Sequence, residues 1–86
     1  LMGKGAAMFL PSGTMCNVAA ILTHCGKGDE VVAHETSHIL HSEGGAHAAF
    51  TGVQIMPLKG PRGMFTADDV RAAVRPRTRY TPPQRL

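Results

Sequence analysis

Two segments of this chain carry side chains whose types and spacing suit chemistry. The first is Ser12-Gly13-Thr14, placed directly before a run of helical periodicity. The first N–H groups of a helix lack internal partners and lie at the positive end of its dipole, so an anion is favoured there. Gly13 lets the backbone approach a ligand closely, and the Ser12 and Thr14 hydroxyls can donate to phosphate oxygens. The same residue types also simply cap helices, so the local pattern leaves phosphate binding and plain capping both open. The second segment, His34-Glu35-Thr36-Ser37-His38, matches H-E-x-x-H. In that pattern two histidines one helical turn apart bind zinc, and the glutamate acts as base. Here Val31-Val32-Ala33 reads as a strand, which puts His34 at a strand end. A third ligand would have to be His41, Glu43 or His47, and the longer H-E-x-x-H-x-x-G-x-x-H pattern fails because residue 41 is His. A zinc hydrolase using His34, Glu35 and His38 stands as one alternative; histidines at the surface or at a sheet end stand as the plain one.

The elements that must position these residues follow from periodicity and turn chemistry. Ala6 to Leu10 is a short apolar segment, strand or helix end, that stops at Pro11. Met15, Val18, Leu22 and Cys25 fall on one face of a helix predicted over 15–24, with Ile21 beside them and Gly26 placed to end it. Lys27-Gly28-Asp29 is a turn, and Glu30 to Ala33 a β-branched strand. A second helix is expected from about Ser42 to Phe50, weakened by Gly44 and Gly45. Val53 to Leu58 reads as a strand that ends at Pro57 or lies at an edge. Lys59 to Phe65 is a loop. Thr66 caps a last helix, Asp68 and Asp69 suit its positive end, Val70, Ala73 and Val74 form its apolar stripe, and Pro76 stops it. Thr78 to Gln84 is expected to be extended, and Leu86 to lie at the start of a strand. Alternating strands and helices argue α/β with a mainly parallel sheet, which needs both faces covered.

With 86 residues and 9.1 kDa the chain is at most one domain. At this size only about 60 to 65 % of the unfolded surface is buried on folding, so a stable core needs help. The hydrophobic fraction of 43 % excludes a disordered chain, while an aromatic fraction of 5 % without Trp is thin for a self-contained small core. The arithmetic favours a fragment of something larger. Cys16 and Cys25 would point to different faces of a helix, so no disulfide is expected and a reducing, cytoplasmic compartment is. No apolar run is long enough to span a membrane, and Leu1 to Gly5 does not read as a signal peptide. Five of the nine basic residues are Arg71, Arg75, Arg77, Arg79 and Arg85. A basic interaction domain is therefore the second alternative, but only Tyr80 interleaves with the arginines and no nucleic-acid motif is present.

In this order the pieces resemble the threonine aldolase family, within the group of β-eliminating lyases and the aspartate aminotransferase-like large-domain fold. The matching blocks are Phe9-Leu10-Pro11-Ser12-Gly13-Thr14-Met15-Cys16-Asn17, Gly28-Asp29-Glu30-Val31-Val32, Ser37-His38-Ile39, Glu43-Gly44-Gly45-Ala46 and Thr66-Ala67-Asp68-Asp69-Val70. The resemblance runs from Gly3 to about Pro76. It implies that residues 1–86 are part of the pyridoxal 5′-phosphate-binding large domain, a three-layer α/β/α fold with a mainly parallel sheet.

The resemblance also implies roles. Ser12, Gly13 and Thr14 would hold the cofactor phosphate. His38 would stack on the pyridine ring and sit near the substrate hydroxyl, where a base is wanted. Glu43 would be a family glutamate near the active site that positions a water, with a helix N-terminal carboxylate as its structural alternative. The implied reaction cleaves threonine or a related β-hydroxy-α-amino acid to glycine and an aldehyde, in a homodimer or homotetramer, with no metal. Lys4, Lys27 and Lys59 match none of the family's cofactor-bearing positions, so these residues alone are expected to be inactive. Many family members carry His-Phe-Pro-Arg-Thr where this chain has Tyr80-Thr81-Pro82-Pro83-Gln84. Tyr80 would then replace that histidine as a weaker acid or base, or the substrate would be another β-hydroxy amino acid.

Overall fold

A computed structural model describes residues 2–76 and 85. The element order is α1 (Gly13–His24), β1 (Glu30–His34), a short α2 (His38–His41), a π-helical segment (His47–Thr51), β2 (Gln54–Leu58), a 3-10 turn (Pro61–Gly63) and α3 (Ala67–Ala73). The α/β class expected from the sequence is what folds. The tail from residue 77 to 84, with Arg77, Arg79 and Tyr80, and Leu86 lie outside the described residues.

Strands β1 and β2 pair in parallel, from Glu30 opposite Gln54 to His34 opposite Leu58. The ladder continues past both ends. Gln54 N–H donates to Asp29 O at 2.8 Å, and Glu35 N–H donates to Leu58 O at 2.8 Å. Pro57 sits inside β2 opposite Ala33, where its missing N–H is tolerated because β1 is the one neighbour among the described residues.

Helix α1 starts two residues before the periodicity predicts, because Ser12 is the cap and Gly13 and Thr14 already belong to the first turn. Its apolar face also differs from expectation. Ile21 is the buried residue, while Met15 and Leu22 stay about half exposed. They line an open apolar cleft of about 340 Å³ between α1 and the π-helical segment, with Leu10, Val18 and Phe50. The segment before Pro11 forms neither strand nor helix, and Met8 and Phe9 are exposed.

The helix expected over 42–50 does not form as one piece. Gly44 and Gly45 adopt φ of +59° and +75°, which residues with a Cβ avoid, so α2 ends before the segment and only the π-helical turn from His47 forms within it. Gly52, at φ +71°, ends that turn in the left-handed conformation usual after helices. The loop 59–65 turns at Gly60, where an added Cβ would lie 1.6 Å from Met64 O. Only glycine fits there. The last helix follows the prediction, but its closing stripe residue, Val74, is the C-cap and half exposed.

The apolar core is small: Ile21, Ala33, Ala46 and Val53. Buried polar groups lie among it, and each of the two carboxylates has a partner, as burial of charge requires. Glu30, at the start of β1, pairs with Arg75 just beyond α3. Glu43 organises the candidate site.

Candidate functional site

Ser12 adopts extended backbone angles and its Oγ accepts the Met15 N–H at 3.2 Å, which starts α1 cleanly. The first turn contains no acidic residue, and a Cβ built on Gly13 would meet nothing within 4 Å. The end of the helix is thus open to an external anion. Thr14 and Asn17 lie three apart, and Gly13 and Asn17 four apart, so all three share one face of α1 about 6 Å along its axis.

From that face Asn17 reaches across the fold. Its Nδ2 donates to Glu43 Oε1 at 2.5 Å. The same oxygen accepts from His38 Nδ1 at 2.9 Å. The Glu43 side chain is completely enclosed, whereas 64 % of the His38 side chain is exposed. The His38 imidazole donating to Glu43 holds the carboxyl below the usual carboxylate range; burial opposes this, and the Asn17 amide and nearby His47 assist. An ionised carboxylate only accepts, so Nδ1 carries the ring proton. That leaves Nε2 on the exposed edge as the nitrogen able to accept a proton in the neutral ring. Glu43 Oε2 and His47 Nδ1 are buried without hydrogen-bond partners among the described residues.

The sequence singled out Ser12, Gly13, Thr14, His38 and Glu43. The structure joins His38 and Glu43 directly and connects them through Asn17 to α1, the helix that begins at Ser12-Gly13-Thr14. Asn17 is the residue that sequence reasoning missed as a site member. It stands 26 positions from Glu43, and nothing in local pattern announces that contact. The helix N-terminal alternative for Glu43 does not describe its carboxylate, which serves side chains.

The H-E-x-x-H segment does not fold as its metal-binding use requires. His34 ends β1 and His38 begins α2, with a turn between them. His34 Nε2 lies 2.9 Å from Gly60 O and Nδ1 2.9 Å from Thr36 Oγ1, while His41 Nε2 lies 2.6 Å from Glu35 O. Among the described residues no group of three or more His, Cys, Asp or Glu side chains is arranged to hold a metal ion. The three described arginines of the basic run are paired: Arg71 with Asp68, Arg75 with Glu30 and Arg85 with Asp29. No helix among the described residues is long and apolar enough to cross a membrane.

The chain is 40 % identical over 77 residues to a probable low-specificity L-threonine aldolase of Arabidopsis thaliana, covering 87 % of this chain and 22 % of that protein. It is 35 % identical over 77 residues to the low-specificity L-threonine aldolase of Escherichia coli, covering 88 % of this chain and 23 % of that protein. An uncharacterized protein of Caenorhabditis elegans is 36 % identical over 87 residues, covering all of this chain and 21 % of that protein. The chain thus spans about a fifth of the length of these relatives. The family model for beta-eliminating lyases matches residues 1–86, and the chain belongs to that family.

Proposed function

We propose that this chain is the phosphate-binding and ring-stacking part of a pyridoxal 5′-phosphate-dependent lyase that cleaves the Cα–Cβ bond of threonine or a related β-hydroxy-α-amino acid. The observation that carries this reading is the anchored, exposed imidazole of His38, tied to the helix whose open N-terminus suits a phosphate. The family and the named aldolases among its relatives support it.

The donor set fits the cofactor. Ser12, Gly13 and Thr14 offer hydroxyls and unpartnered backbone N–H groups without a competing acid. The exposed His38 ring offers a flat face. The bound cofactor would supply an electron sink for the bond that breaks at Cα. His38 Nε2 then takes the proton of the substrate's β-hydroxyl as the C–O bond gains double-bond character and Cα–Cβ breaks. A proton returned to Cα completes glycine, and acetaldehyde leaves when the substrate is threonine. Glu43 holds the imidazole through Nδ1, and its unpartnered Oε2 can receive a water.

Lys4, Lys27 and Lys59 are exposed, and none is among the residues that make this site, so the cofactor-bearing lysine is supplied elsewhere in the full-length protein. The 86 residues alone are therefore proposed to be inactive. A homo-oligomer and a cytoplasmic location complete the proposal. Aldehyde release from L-threonine by the full-length protein tests it. His38→Phe keeps a flat ring but loses the base, and kcat should fall by about a hundredfold with cofactor still bound. Unimpaired turnover by His38→Phe would remove His38 from the chemistry.

A further inference from the structure

We infer that Asn17 is a positioning residue that locks Glu43, and through it His38, to the helix carrying the phosphate-type turn. The inference rests on the function proposed above, but its physical core is a contact in this chain.

Three elements meet at one carboxylate oxygen. Asn17 approaches from α1, His38 from α2, and both hydrogen bonds end on Glu43 Oε1, at 2.5 and 2.9 Å. His47 from the π-helical segment is the further titratable group near that carboxyl. Helix α2 has only four residues, and its Ser37 cap makes no side-chain bond to the helix. So short a helix cannot hold His38 by itself. Gly44 and Gly45 follow Glu43 with φ of +59° and +75°, so the backbone there does not continue a helix that would fix the carboxylate. What fixes it is the amide of Asn17, on the longest helix among the described residues. Asn17 shares a face with Gly13 and Thr14. The group that orients the base and the turn that suits the phosphate are therefore parts of one rigid element. A small displacement of the reacting groups costs rate far more than it costs binding.

Asn17→Leu removes the donor at nearly constant volume, and Asn17→Asp keeps the shape while replacing the donor with an acceptor. Both are made in the full-length protein. With 13C-labelled glutamate, and Glu43 assigned by Glu43→Gln, the carboxyl midpoint should rise in both variants, further in Asn17→Asp. In the same proteins kcat should fall about tenfold while KM and the cofactor dissociation constant stay within about twofold. Should Asn17→Leu fail to fold, Asn17→Asp carries the same two readouts. An unchanged Glu43 midpoint overturns the contact. A raised midpoint with unchanged kcat overturns the positioning role. If the unsubstituted protein cleaves no β-hydroxy amino acid, the functional reading fails, and the titration, which needs no turnover, still decides the contact.

Discussion

At the start of α1 the Ser12 hydroxyl accepts the Met15 N–H, and at the start of α3 the Thr66 hydroxyl accepts the Asp69 N–H, each at 3.2 Å. Up to this point the two helix ends use one device. They part at the next residue type. In α3 Asp69 turns back so that its carboxylate accepts the Thr66 N–H at 2.7 Å, and Asp68 lies in the same turn. That end carries its own anion. In α1 the corresponding positions are Thr14 and Met15, and no acid stands in the turn. The positive end of α1 carries no acid of its own, whereas α3 has neutralised its positive end. In the proposed reading this difference, and not the presence of Ser or Thr, separates a binding turn from a structural cap, since both ends have one.

Making α1 resemble α3 should give the largest effect. Thr14→Asp places a carboxylate where α3 has Asp68. In the full-length protein, equilibrium titration with pyridoxal phosphate should show affinity weakened by about a hundredfold, because like charges meet at the phosphate position. The substitution favours the helix itself, so thermal unfolding should occur no earlier than in the unsubstituted protein. Affinity that survives Thr14→Asp would mean the phosphate sits elsewhere, and the contrast between the two helix ends would lose its functional meaning.

A smaller effect is expected from weakening α3. Thr66→Ala removes one half of the capping box and should cost about 1 kcal/mol of stability in denaturant unfolding. Amide hydrogen exchange should accelerate over residues 67–73 and leave residues 13–24 unchanged, with cofactor affinity unaltered. Equal acceleration in both helices would show that α3 is not an independent end but part of the unit that holds the site.

Much of this contrast was legible in the sequence, because caps are local. Thr66 with Asp68 and Asp69 announces a capped start within four residues, and the turn at Ser12 announces a helix to within two residues of its observed start. Strands β1 and β2 were legible for a similar reason: short β-branched or apolar runs bounded by Gly28-Asp29 and by Gly52 and Lys59. The loss of the first half of the expected 42–50 helix was only half legible. The glycine pair signalled weakness, but nothing local says that both glycines take positive φ. The apolar stripe of α1 was found at Met15, Val18 and Leu22, yet burial belongs to Ile21, since burial depends on what packs against a face rather than on its periodicity. The meeting of Asn17, His38 and Glu43 was least legible. It joins three elements through side chains whose types are ordinary on any helix surface, and only the folded chain brings them together.

Acid gives the smallest and finest test, since the two helix ends differ in whether their caps can titrate. The Thr66 backbone N–H, then its hydroxyl, hold the Asp69 carboxyl below its ordinary value near 3.8, with burial opposing. A lowered folded-state value means that Asp69 contributes fully above about pH 3.8. Below that the unfolded chain takes up its proton first, and the contribution is gone once the folded-state value is passed. Glu43 behaves the same way from about pH 4.5 downward. Ser12 has no such window. Lowering the pH from about 6 to about 3 should therefore disturb the amide signals of residues 66–69, and that of Asn17 through Glu43, before those of residues 12–15. Simultaneous loss at both helix ends would instead show that acid unfolds the chain as a whole, and that Asp69 adds nothing of its own to α3.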